Sequence, residues 1–158
     1  MHLEGEHSFT ATPSAVWERL NDPDVLSRTT PGLTELHLES ADQYRAVFAI
    51  KMGPINSNFD GSLQVVDRVE MEGYKLVISV DGKIGTVEAV GTIAMQAAEG
   101  GTLVTFAGDA KLTGVLARMG QRVLSGVGRM FTKQFFKALE KELETTTEDS
   151  TQLEEKDS

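Results

Sequence analysis

Cysteine is absent from the 158 residues. That single absence removes disulfides, thiolate metal sites, iron-sulfur ligation and a cysteine nucleophile together. Other chemistry-bearing residues are scarce, with one Trp, two Tyr and three His. His2, His7 and His37 are scattered, and none pairs with an acidic residue at the helical spacing of a metal site, so neither a metal centre nor a catalytic residue is expected. No segment approaches the ~18 consecutive apolar residues of a membrane span. Met1 to Glu6 also lacks the basic start and apolar run of a signal peptide, and the expected location is the cytoplasm. The glycines, Gly91 and Gly100-Gly101 among them, lack the Lys-Ser/Thr of a phosphate loop and read as turn and bulge signals.

Basic residues are outnumbered, 15 to 24, giving a net charge of -9 that disfavours nucleic acid as a partner. The excess is local. From Glu140 onward eight acidic residues face two lysines, which leaves positions 1 to 139 at only -3. Thr145 to Ser158 is Thr, Ser, Glu and Asp with one Leu, too little apolar surface to offset ordering entropy, so an acidic disordered tail (145–158) is expected after a single domain (1–144).

Within the domain, Thr12-Pro13 reads as a capped helix start running to about Leu20, and Asp22-Pro23-Asp24 starts a second short helix that Pro31-Gly32 ends. From Leu33 to Leu112 the apolar residues recur with period two. Tyr44, Ala46, Phe48, Ile50 and Met52 share one face; so do Phe59, Leu63 and Val65, then Tyr74, Leu76, Ile78 and Val80. Val87, Ala89, Ile93 and Met95, then Val104, Phe106, Ala110 and Leu112, extend the pattern. With an N-terminal strand near Leu3 to Thr10, about seven strands are expected. After Thr113-Gly114 the period becomes 3.6, and Leu116, Met119, Val123, Val127, Met130, Phe135 and Leu139 mark the stripe of one helix of roughly 25 to 30 residues. The order predicts an α+β helix-grip fold: a curved antiparallel sheet wrapped around a long C-terminal helix, with two short helices after the first strand.

An apolar pocket between sheet and helix is the expected ligand site. Its expected lining is Tyr44, Phe48, Ile50, Phe59, Leu63, Leu76, Ile78, Ile93, Val104 and Phe106 from the strands, with Leu116, Met119, Val123 and Met130 from the helix. Ordinary core packing would use the same residue types. His7, Tyr44 and Tyr74 are the polar groups placed to orient a ligand. Gly120, Gly126 and Gly128 each cost ~1 kcal/mol relative to Ala in a helix interior, so they imply close approach to the sheet, room for a ligand, or a helix break. Arg118, Arg122, Arg129, Lys133 and Lys137 form a basic helix face suited to anionic lipid or an acidic partner, or simply to solvent. Gly53 to Asn58 is a turn at one rim.

Val16-Trp17, Asp22-Pro23, Pro31-Gly32, Gly53-Pro54-Ile55 with Phe59-Asp60-Gly61, Gly101-Thr102 and Gln134-Phe135-Phe136 occur in order over positions 1 to 140. This ordered set resembles the carbon monoxide dehydrogenase CoxG family. That family belongs to the helix-grip (SRPBCC) superfamily of START-type lipid-transfer domains, pollen-allergen-like proteins and polyketide cyclases. The resemblance implies a non-catalytic accessory to a molybdenum-containing dehydrogenase of the carbon monoxide or xanthine dehydrogenase type. It further implies a hydrophobic small molecule such as a quinone or lipid as ligand, no other cofactor, and peripheral contact with the inner face of the cell membrane. Two other classes stay open. A cyclase or hydratase would need His7, Tyr44 and Tyr74 to converge on one pocket, and a pure adaptor would have a filled interior.

Overall fold

The computed structural model describes the backbone of residues 1–157 and the side chains of residues 1–144. The expected 144/145 boundary and acidic tail therefore concern residues whose side chains lie outside the description. Strand β1 (His2–Phe9) is followed by α1 (Pro13–Leu20) and α2 (Pro23–Thr29). Six strands follow: β2 (Leu33–Ser40), β3 (Gln43–Met52), β4 (Ile55–Val69), β5 (Gly73–Gly82), β6 (Gly85–Ala98) and β7 (Gly101–Leu112). Two helices close the fold, α3 (Gly114–Arg118) and α4 (Gln121–Asp157). All seven strands join one antiparallel sheet in the order β1-β7-β6-β5-β4-β3-β2, so consecutive strands from β2 to β7 are neighbours and β1 returns beside β7.

Local chemistry fixes the corners. Thr12 Oγ1 accepts from the Ala15 N–H at 3.3 Å, with Pro13 opening α1; Asp22 Oδ1 accepts from the Asp24 N–H at 2.9 Å, with Pro23 opening α2. A bulge in β4 interrupts its pairing with β5 between Val66 and Val69, and Asp67 adopts φ 52°, a left-handed conformation uncommon outside Gly. The bulge redirects Arg68, whose Nε donates to Asn21 Oδ1 at 3.1 Å and whose guanidinium also pairs with Asp42. Asn21 is itself oriented, because its Nδ2 donates to the Trp17 carbonyl at 2.9 Å.

The core has three parts. Phe9, Val16, Leu20, Val25, Met95, Val104, Phe136, Leu139 and Leu143 pack where α1, α2 and α4 meet the sheet. Ile55, Phe59, Val80, Leu116 and Leu124 fill the opposite end under α3. Between them, Tyr44, Val65 and Tyr74 cluster with Trp17, Leu36, Leu63, Leu76 and Ile93.

The expected single long helix is corrected to two. Gly120 sits at φ 91° between α3 and α4, a backbone conformation that ends one helix before the next begins. The break resets the helical phase, so Leu124, Phe136, Leu139 and Leu143 are buried on α4 while Val123 and Met130 are 43% and 44% exposed. The three glycines have separate roles. Gly120 breaks the helix, Gly128 lets α4 approach β1, where an added Cβ would lie 3.1 Å from Leu3 Cδ2, and Gly126 has nothing within 4 Å of that position.

Candidate functional site

The inner sheet face is not evenly filled, and the cause lies in the size of its side chains. Across β6 and β7 the registered inward pairs run Val87 with Leu112, Ala89 with Ala110, Gly91 with Gly108, and Ile93 with Phe106. Large pairs thus flank two consecutive small ones, and the missing volume lies opposite α4. A cavity of about 370 Å³ occupies this region, within the ordinary range for small-molecule sites. Phe131, Thr132, Phe135 and Phe136 of α4 line one wall, while Leu20, Leu26, Thr30 and Leu33 come from α1, α2 and the start of β2.

Seven of the residues expected at the site line this cavity: Tyr44, Phe48, Leu63, Leu76, Ile78, Ile93 and Phe106. The other seven do not line it. Ile50, Phe59, Leu116 and Met119 are close-packed in the cluster under α3, and Val104 is fully buried in the cluster beside α1 and α4. Val123 and Met130 face outward because the break at Gly120 rotates the apolar stripe. Gly91 corrects another expectation: it is a mid-strand residue of β6 opposite Gly108, not a turn or bulge. Period-two counting from Ala89 and Ile93 places it inward, and that was the signal available for finding it.

The polar groups gather toward the α1 and β4 end. Asn21, Arg68, Tyr44 and Tyr74 all line the cavity. Both tyrosines are buried, and no protein group among the described residues hydrogen-bonds to either hydroxyl. Burial pushes the Tyr74 hydroxyl far above the ordinary tyrosine range; the Arg68 charge opposes that rise and nearby Tyr44 adds to it. At neutral pH Tyr74 is therefore a protonated donor. Its ring meets Trp17 edge-on at 5.9 Å between centroids.

His7 lies elsewhere. Its ring stacks on Phe136 at 5.3 Å with a 5° interplanar angle, behind the cavity wall. Its buried Nε2 is 3.6 Å from Glu140 Oε2, close enough for charge attraction but too long for a hydrogen bond. His2 contacts Asp109 and Glu4 at the surface, and His37 contacts Glu35. Among the described residues no group of three or more His, Asp or Glu could hold a metal ion, and no helix is long and apolar enough to cross a membrane. The Gly53 rim turn joins β3 to β4 and abuts Val127 of α4, with an added Cβ 3.4 Å from Val127 Cγ2.

A seven-stranded antiparallel sheet closed over by a C-terminal helix, with an apolar cavity between them, defines the START-like helix-grip class of domain. Solved structures agree with that class. A START superfamily protein from Mycobacterium smegmatis superposes with a TM-score of 0.72 at 11% identity, covering 92% of this chain and 98% of its own. A protein from Rhizobium leguminosarum superposes with a TM-score of 0.70 at 18% identity, over 92% and 95%. A conserved protein from Geobacillus kaustophilus is more similar, with a TM-score of 0.89 and 30% identity over 92% of this chain and 97% of that one. The chain belongs to the carbon monoxide dehydrogenase CoxG family, whose model matches residues 5–144. Comparison with curated proteins gives no match. Family and fold together support a ligand-binding accessory role.

Proposed function

We propose that the protein holds a hydrophobic small molecule, a quinone or another lipid-like compound, as a non-catalytic accessory to a molybdenum-containing dehydrogenase of the carbon monoxide or xanthine dehydrogenase type. The observation that carries this reading is the roughly 370 Å³ apolar cavity between sheet and α4 in a member of a dehydrogenase accessory family. An apolar occupant would gain dispersion contacts with Phe48, Ile78, Phe106 and Phe135 and would leave water on entry. In this reading Tyr44, Leu63, Leu76 and Ile93 are binding residues as well. Tyr44 and Tyr74 line the cavity without His7, an arrangement that favours binding over the acid-base set a cyclase or hydratase requires.

Trp17 is the sole tryptophan and touches Tyr74, so its fluorescence reports on the cavity wall. Organic extraction of the purified protein followed by mass spectrometry is expected to release a lipophile. Quinone titration is expected to quench Trp17 saturably. A protein that yields no lipophile and shows no saturable quenching would end the reading. The dehydrogenase partnership predicts co-purification with molybdenum dehydrogenase subunits from the native host.

The same accessory role includes peripheral contact with the inner face of the cell membrane. Its support is the outer surface of α3 and α4, where Arg118, Arg122, Arg129, Lys133 and Lys137 are exposed and make no ion pair among the described residues. Val115, Val123 and Met130 are exposed among them, at 42%, 43% and 44%. Cations beside apolar side chains suit a surface of anionic lipid. Vesicles with phosphatidylglycerol are expected to retain the protein and to lose it when Arg122, Arg129 and Lys133 become Gln; equal retention would make this face a solvated surface.

A further inference from the structure

The proposed cavity has distinct ends, and the difference between them bears on which ligand it takes. Ala89, Gly91, Gly108 and Ala110 offer backbone and methyl groups and no polar side chain. Tyr44 and Tyr74 bring two hydroxyls without protein partners to the other end, clustered around Val65. A buried hydroxyl that makes no hydrogen bond costs free energy, so a ligand that accepts one gains that amount over a ligand that cannot.

Arg68 is the charge nearest this pair, and it is already committed. Its guanidinium pairs with Asp42, and its Nε donates to Asn21 Oδ1 at 3.1 Å. An anionic head would therefore meet Asp42 beside its only cation, and would have to displace that carboxylate to gain Arg68. Tyr74, whose hydroxyl burial keeps protonated at neutral pH, is suited to donate to a neutral acceptor.

We propose that Tyr44 and Tyr74 form a head-group site for an uncharged, hydrogen-bond-accepting amphiphile of the carbonyl class, with the apolar body lying over the glycine and alanine floor, and that the Arg68–Asp42 pair excludes carboxylate lipids. This assignment rests on the reading of the cavity as a ligand site. It adds head-group polarity, orientation and exclusion of fatty acids, none of which follows from the presence of an apolar space.

Three probes of matched length separate the claims: 2-tridecanone, dodecanoate and tridecane, each measured by displacement of Nile red from the full-length protein. The ketone is expected to bind roughly tenfold or more tighter than either of the others, the worth of one or two hydrogen bonds. In the double variant Tyr44→Phe, Tyr74→Phe, the ketone advantage over tridecane is expected to vanish while tridecane affinity holds, because the rings that pack are retained. In Asp42→Asn, Arg68 is released, and dodecanoate is expected to gain severalfold with the ketone unchanged. Thermal melting of each variant establishes that it is folded. A ketone preference that survives the double Phe variant, or dodecanoate binding equal to the ketone in the wild type, overturns the head-group site and leaves the cavity reading standing. Failure of all three probes to bind overturns both.

Discussion

The two ends of the space beneath the C-terminal helices are built from similar residue types yet serve different purposes. Under α3, Ile55, Phe59, Val80, Leu116 and Leu124 close on one another, with Ile50, Met119 and Val127 packed around them. Two or three residues further along the same strands, Ala89, Gly91, Gly108 and Ala110 withdraw from the helix and leave a cavity. Hydropathy does not separate these regions, since both are apolar. Side-chain volume at registered positions does, and the difference teaches that a hollow in a sheet is written as small residues in phase with large ones.

The largest effect should come from opening the filled part. Leu139 is fully buried, and Leu139→Ala is expected to cost about 2–5 kcal/mol in urea unfolding, the range for a leucine truncated in a closed core. Filling the hollow part should do the reverse. At Gly91 the backbone is open to any residue, and an added Cβ would lie 3.6 Å from the Ala107 carbonyl oxygen and 3.9 Å from Gly108 Cα, ordinary contacts. Gly91→Val is expected to shift stability by less than about 1.5 kcal/mol while weakening quinone binding roughly tenfold or more. A loss of stability as large as that of Leu139→Ala would mean that this region is packed after all.

A smaller effect concerns how α2 is held against α4. Arg28 Nε donates to Glu142 Oε1 at 2.7 Å, and this hydrogen bond holds the Glu142 carboxyl below its usual range. A carboxylate lowered in the folded state stabilises above its unfolded pKa, and the contribution disappears as pH falls through the lowered folded value. Arg28→Ala is therefore expected to be less stable than wild type at neutral pH and to converge with it in acid, by denaturation at a series of pH values. The smallest effect belongs to the outward side of α4. Val123→Ser and Met130→Ser are expected to stay within ~0.5 kcal/mol of wild type, as exposed substitutions do. A cost of several kcal/mol would restore the unbroken helical stripe.

Much of the fold is legible from alternation alone. The two Pro-led helices, the strand faces from Tyr44 to Leu112 and the antiparallel order all follow from local signals, because capping and period-two patterning act over a few residues. The helix phase is not legible, since Val123 and Leu124 are adjacent apolar residues and only the left-handed backbone of Gly120 decides which turns inward. Half of the expected site residues line the cavity because inward strand positions are readable, whereas filled and hollow stretches look alike until the register aligns Gly91 with Gly108. The polar end was least accessible. Asn21, Asp42 and Arg68 come from three separate segments, joined by a bulge at Asp67 that no hydropathy pattern announces.

An open sheet also has two margins, formed here by β1 and β2, each with unpaired backbone groups that another chain's strand could join. Glu4 and Glu6 lie along the first margin; Glu35 and Glu39 lie along the second, which register shifts further distort. Two molecules meeting margin to margin would bring carboxylates of like sign together on an irregular template. The acidic residues of the folded body thus oppose fibre-like growth, allowing a sheet with seven strands and a deliberately thin centre to remain a separate particle in a crowded solution.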